Sequence, residues 1–390
     1  MNTDQLKSAV IKEIDRLNPE IVKLSRLIHS KPELAYKEFF ASDTLTSFLK
    51  NHGFKIERGI GGLPTAFTAS AAGRIKAPAV AFIAEYDALP KLGHACGHNM
   101  IGAISAGAAA ALRNLALDSA GRIIVIGTPA EEGGGGKIKL IEKGVFNGID
   151  IALMAHPSNK TRVIGRMLAV VDITFTFIGK SSHASSFPYE GINALDGVIL
   201  TYNNINALRQ QLKEDVRIHG IITEGGQAPN IIPDRAAARF YVRTLDMKYF
   251  KEVLEKVKDC ARGAAKAARC RLRIDTGKFA YHPFKPNYTL SGIFRENMKS
   301  IGIKEDLIGE RDGMGSSDIG NLSQVIPTIH PEFAIGKMNV VNHSPEFARA
   351  AVSKFGTDMM IKMTKAAAMT ALDVFCYPEK VKEIKREFKN

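Results

Sequence analysis

The stretch from residue 77 to residue 132, "APAVAFIAEYDALPKLGHACGHNMIGAISAGAAAALRNLALDSAGRIIVIGTPAEE", decides the fold. It opens on a short apolar run rich in Ala, Val, Ile and Phe (77–87), which reads as a buried strand. "MIGAISAGAAAALRNLAL" (100–117) is long and alanine-rich enough for a helix. "GRIIVIGTPAEE" (121–132) is a second buried strand that ends in a polar cluster. Outward from this stretch, "GKIKLIEKGVF" (136–146) is a helix after a four-glycine turn, and "IDIALMAHP" (149–157) is a third strand. Strands that alternate with helices predict an α/β fold with a mostly parallel sheet covered by helices on both faces.

The polar residues fall in a pattern. "EYDALP", "GHACGHN", "TPAEE" and "AHP" each lie at or just after the C-terminal end of a strand. In open parallel sheets that edge is where ligands bind. Four separate segments therefore deliver polar chemistry to one rim.

From about residue 166 the pattern changes. "MLAVVDITFTFIG", a helix near 191–213, the strands "VRIHGIITEGG" and "AAARFYVRTLD", a helix over 247–268 and "CRLRIDTG" follow in turn. This order predicts a compact ferredoxin-like β-α-β-β-α-β insert over 166–283. Residues 284–390, with the turn-rich "GERDGMGSSDIGN" and a long closing helix, return to the first domain, which begins with 1–165.

Bulk properties narrow the function classes. At 390 residues two domains are the default. No segment supplies the roughly 18 charge-free apolar residues of a membrane span. The N-terminus has no basic start followed by an apolar core, so no signal peptide is expected. Four cysteines, Cys96, Cys260, Cys270 and Cys376, lack paired spacing, which fits a reducing cytoplasm. The net charge of +13 is spread along the chain, and its densest run, "KVKEIKREFKN", is interleaved with acids. That reads as a solvated helix, not a nucleic-acid arm.

Zinc-like metals take thiolate and imidazole, and carboxylates complete catalytic sites. The rim supplies Cys96, His98, Glu132 and His156, with His343 a further candidate. These are the atom types for two divalent ions that together activate a water. Asp87 is placed to orient a ligating histidine, and His94 is expected to have a supporting role. Glu131 and Glu132 are adjacent, so in an extended segment their side chains diverge. One is free to bind metal while the other acts as a general base. Rival chemistries fare worse. "GGGG" lacks the Lys-Ser/Thr of a phosphate loop. A cysteine hydrolase built on Cys96 and His98 leaves Glu131, Glu132 and His156 without a task.

"AEYDALP", "GHACGHN", "TPAEEGGGG", "MAHP", "GKSSHAS", "APNIIPD" and "GSSDIGN" occur in that order along nearly the whole chain. In this the sequence resembles the aminoacylase/carboxypeptidase G family of metallopeptidases. It is most similar to the branch of auxin-conjugate amidohydrolases, aminobenzoyl-glutamate hydrolases and aminoacylase-like β-alanyl dipeptidases. The resemblance implies a metal-dependent amidohydrolase or dipeptidase acting on a dipeptide or N-acyl amino acid. It implies Cys96, His98, Glu132, His156 and His343 as ligands of two divalent ions, zinc, manganese or cobalt, and Glu131 as the general base. It implies a homodimer, formed by the insert, in which His183 reaches the partner's site and stabilises the oxyanion. Asn230, Arg243 and Gly315 are then substrate-binding residues. One position departs from many relatives: Asn99 stands where they carry aspartate, as in the dipeptidase-like branch. The alternative to an enzyme is a catalytically weak metal-binding relative with a regulatory or ligand-binding role.

Overall fold

A computed structural model describes residues 2–72, 78–115, 121–277, 279–307, 309, 315–337 and 339–390. In chain order its helices are α1 (Thr3–Ser30), α2 (Phe39–Asn51), α3 (His98–Asn114), α4 (Gly136–Glu142), α5 (Ala194–Leu208), α6 (Met247–Ala267), α7 (Tyr288–Ser300), α8 (Ile319–Ser323), α9 (Pro345–Ala350), α10 (Lys354–Cys376) and α11 (Pro378–Lys389). Its strands are β1 (Lys55–Arg58), β2 (Phe67–Ala71), β3 (Ala79–Ala84), β4 (Arg122–Gly127), β5 (Ile151–Leu153), β6 (His156–Ser158), β7 (Ala169–Ile178), β8 (Arg217–Glu224), β9 (Arg235–Thr244), β10 (Arg271–Thr276), β11 (Thr328–Ile329) and β12 (Glu332–Ala334). The last residues of the expected helix 100–117, and most of "GERDGM", lie outside the described residues. The chain divides into two compact units: residues 1–165, 285–313 and 321–390, and residues 166–284 and 314–320.

The first unit is built on a sheet of order β1-β2-β4-β3-β5-β11. β4, β3, β5 and β11 run parallel, and β2 and β1 add an antiparallel edge. Every residue of β3 is buried, as expected for a central strand covered on both faces. Val80, Phe82 and Ala84 of β3 join one apolar core with Ile14, Leu17 and Ile21 of α1, Met100 and Ile104 of α3, and Met360 and Met363 of α10. α3 is buried at every residue from His98 to Leu112, which explains its alanine-rich, two-sided apolar sequence. α1 begins with a capping box, in which Asn2 accepts from the Gln5 N–H and Gln5 reaches back to the Asn2 N–H.

The single strand expected over 149–157 is two. β5 stays in the main sheet, whereas β6 pairs parallel with β12, His156 opposite Glu332. Pro157 has no N–H to donate to a central ladder, so the chain leaves the sheet there. That departure turns His156 onto the rim.

The second unit follows the β-α-β-β-α-β order. Its sheet runs β10-β7-β9-β8, antiparallel throughout. Val171, Ile173, Phe175 and Phe177 alternate along β7 and face Val198 and Ile205 of α5 and Phe250, Val253 and Val257 of α6. Both helices thus cover one face of a ferredoxin-like sheet.

Candidate metal centre

Asp87 organises the first unit's rim. It lies buried just beyond β3. Its Oδ1 accepts from His98 Nδ1 at 2.9 Å, and its Oδ2 accepts the Glu132 N–H at 2.9 Å. One carboxylate therefore ties the loop after β3 to the first residue of α3 and to the turn after β4. It also fixes the imidazole, with the proton on Nδ1 and Nε2 left as the donor atom.

The loop "GHACGHN" needs its second glycine. Gly97 has φ of +78°, and a Cβ there would lie 2.4 Å from Pro157 Cγ. The close approach brings Cys96 Sγ to 3.7 Å from His156 Nε2. His156 Nδ1 donates to the Pro157 carbonyl at 2.7 Å, so its Nε2 also faces the rim as a lone pair. His343 sits in the left-handed region, φ 63°, with its N–H bonded to the Ala95 carbonyl at 2.9 Å. Its Nε2 lies 3.2 Å from Glu132 Oε1.

Among the described residues three donor groups result: Cys96/His98/His156, Cys96/Glu132/His343 and His98/Glu131/Glu132, with the donor atoms of each within 4.8 Å of one another. Cys96 belongs to two of them. His98 Nε2 is buried and makes no hydrogen bond among the described residues, and the buried Glu132 Oε1 has His343 Nε2 beside it at 3.2 Å. Buried donor atoms crowded onto one another are costly unless a cation, a proton or a metal ion, joins them. The set therefore fits divalent metal.

The electrostatics agree. Burial pushes the Cys96 thiol up to about 12, so the thiolate requires a cation beside it. Burial would lower the His98 pKa, yet Cys96, Asp87 and Glu85 outweigh it and raise it well above the usual value. A proton thus sits where metal would displace it. Burial opposes ionisation of Glu132 too, but His343 and His98 hold its pKa below the usual range.

The other sequence candidates separate cleanly. His94 is buried outside all three donor groups, its ring 5.9 Å from that of His29, and burial holds it neutral with a pKa of about 3. Asn99 turns away from the donors, and its Nδ2 donates to Ser25 Oγ of α1 at 2.9 Å. His183, Asn230, Arg243 and Gly315 all belong to the second unit. His183 is exposed, and its Nδ1 accepts the Ser186 N–H at 3.1 Å, which leaves the proton on Nε2. Ala184 donates to the Asn230 carbonyl at 3.0 Å. Arg243 Nη1 lies 3.3 Å from Ser316 Oγ, beside Gly315.

Two groups escaped the pattern. Glu85 and Lys137 form an ion pair with both side chains wholly buried, and the free Glu85 oxygen lies 3.4 Å from His98 Nε2. Glu85 was in view, two residues before Asp87, but a strand end gives no hint that its side chain points inward to the metal side. The segment 32–38, ahead of α2, is the other.

A mostly parallel sheet whose rim carries thiolate, imidazole and carboxylate donors has the make-up of a divalent-metal enzyme. The chain belongs to peptidase family M20/M25/M40, which matches residues 81–366. It is 43% identical over 400 residues to the Xaa-Arg dipeptidase of Mus musculus, covering 98% of this chain and 92% of that one. It is 41% identical over 396 residues to the Xaa-Arg dipeptidase of Homo sapiens, with 96% and 90% covered. Its fold matches the Bacillus subtilis YXEP protein, a dinuclear metal-binding peptidase of the M20 family, with a TM-score of 0.74 at 20% identity over 93% of this chain and 99% of that one.

Proposed function

We propose that this chain is a dipeptidase for substrates of the Xaa-Arg type, with Cys96, His98, Glu132, His156 and His343 holding two divalent ions and Glu131 as the general base. The observation that carries the reading is the sharing of Cys96 by two donor groups, with Glu131 in the adjoining third. The name of the mouse relative supports the substrate class. Zinc, manganese and cobalt all suit these donors.

Bound metal supplies Lewis acidity toward the scissile carbonyl and lowers the pKa of water. The protein's groups do the rest. Glu131 Oε2 lies 3.9 Å from His98 Nε2, close enough to share a water with the donor atoms. It takes the water's proton and hands it to the leaving amine. Asp87 keeps His98 in the tautomer that leaves Nε2 free. His183 offers an Nε2–H, the donor that a developing oxyanion requires. The half-buried Arg243, whose Nε has no hydrogen-bond partner among the described residues, suits the substrate carboxylate, with Asn230 and Gly315 as the further substrate-binding residues.

The same reading has two copies of the chain sharing sites, His183 of each serving the other. Exposed Ile221 and Ile222 on the edge strand β8 favour pairing with a second copy. Among the described residues no helix is long and apolar enough to cross a membrane, and four cysteines without disulfide bonds suit a reducing cytoplasm.

Glu131→Gln tests the reading. Hydrolysis of an Xaa-Arg dipeptide is expected to fall about 10²–10⁴-fold with metal content unchanged. Near wild-type turnover at full metal content overturns the role of Glu131. Less than one ion per subunit, with no activity after metal addition to the wild type, points instead to a binding protein that has lost turnover.

A further inference from the structure

The segment "PELAYKE", residues 32–38, holds no donor atom of the metal centre, yet it contacts two of the segments around it, the loop after β3 and the turn after β4. The Glu33 carbonyl accepts the N–H of Ala88, the residue after Asp87, at 2.8 Å. Glu38 is wholly buried. Its Oε1 accepts the N–H of Ala130, the residue before Glu131, at 3.0 Å. The same oxygen accepts the Tyr36 N–H at 2.8 Å, and Oε2 accepts from the Thr65 hydroxyl at 2.8 Å. The Tyr36 hydroxyl donates to the Gly134 carbonyl, on the far side of Glu131 and Glu132. Lys139 lies over the Tyr36 ring, 4.0 Å from its centre.

Two of these residues are conformationally unusual. Tyr36 and Ala130 have φ of 62° and 61°, the left-handed region that side chains disfavour. Such residues persist where the surroundings over-determine them. Here the N–H groups of both end on one oxygen of one buried carboxyl. The left-handed step at Ala130 immediately precedes Glu131 and Glu132, so it sets the direction from which their side chains leave the chain.

We propose that Tyr36 and Glu38 are positioning residues that clasp the 130–134 turn and thereby aim Glu131 and Glu132. The clasp acts through the backbone of the turn. Glu33 anchors the other end, since its carboxylate caps α2 by accepting the N–H groups of Phe40 at 3.1 Å and Ala41 at 3.0 Å. The role rests on the reading of Glu131 and Glu132 given above, so one arm of the test does not use turnover.

Glu38→Ala is expected to lower kcat about 10- to 100-fold, the range for partners that orient catalytic groups, with KM changed less than about threefold. In the metal-free protein, amide exchange over residues 129–136 should rise about tenfold or more. Glu38→Gln keeps an oxygen for the two N–H groups and should stay near wild type on both measures. Adding Ala130→Gly to Glu38→Ala should recover part of kcat, because glycine takes the left-handed step without help. If Glu38→Ala fails to fold, Tyr36→Phe tests the same clasp without emptying a buried volume. Its kcat should fall several-fold while KM holds, and an unchanged kcat overturns the proposal. So does a Glu38→Ala enzyme whose exchange in the metal-free protein is unchanged, or one whose lowered kcat shows no recovery from Ala130→Gly. Faster exchange with intact turnover keeps the clasp but sinks the assignment of Glu131 and Glu132.

Discussion

The two units treat their functional groups in opposite ways. In the first, His98 and Asp87 have no exposed side-chain surface, and Asp87 spends both oxygens on fixing its neighbours. In the second, His183 and Asn230 are exposed, and the local bonds of His183 fix only its tautomer. Metal donors must converge before an ion arrives, so all of them but the exposed His343 are held by burial or by a carboxylate behind them. A residue that serves a substrate needs reach and solvent access instead. On the proposed reading, the difference separates groups that hold the metal from groups that wait for a substrate.

That contrast can be broken by mutation. His183→Ala should cost about 10²–10³ in kcat, the usual loss of one oxyanion donor, and leave metal content untouched. Lost metal would move His183 to the other class. In mixtures of His183→Ala with Glu131→Gln, activity above the sum of the parts checks the shared-site dimer, provided the subunits exchange. Asp87→Ala should show the opposite signature, with metal affinity and activity both falling about 10- to 100-fold. Chelation should then lower the melting temperature of the first unit while leaving the second alone, since ligand binding stabilises by up to about 4 kcal/mol at a thousandfold excess over Kd. Calorimetry that resolves two transitions checks this.

The rim was legible in the sequence because each strand end carried its own polar signal: Asp87, His98, Glu132 and His156. Strand period and strand length give that information locally. What could not be read depends on distant partners. Glu38 looks like an ordinary helix-start carboxylate, and its bond to Ala130 spans 92 positions. Asn99 looked like a departure at the metal centre, but it bonds Ser25, 74 positions away on α1. The break between β5 and β6 follows from Pro157 and from pairing with β12, which an unbroken apolar run does not announce. Glu85 and Lys137 read as a strand end and a helix start, and only the packed core pairs them.

The smallest expected effect concerns pH, and it sharpens the comparison from the first unit's side. Burial raises the Glu38 carboxyl from 4.5 to about 7. The folded pKa therefore lies above the unfolded one, so the folded state holds its proton more tightly. That preference supports folding below about pH 4.5 and is lost as pH climbs through about 7. Glu38→Gln removes the titration but keeps the side-chain shape. In the metal-free protein its stability relative to wild type should improve between pH 4.5 and 7 and then level off. Urea unfolding of both proteins at a series of pH values measures it. A difference that stays flat across that window would show that Glu38 titrates normally, and that its oxygens are ionised at little cost by the three donors around them.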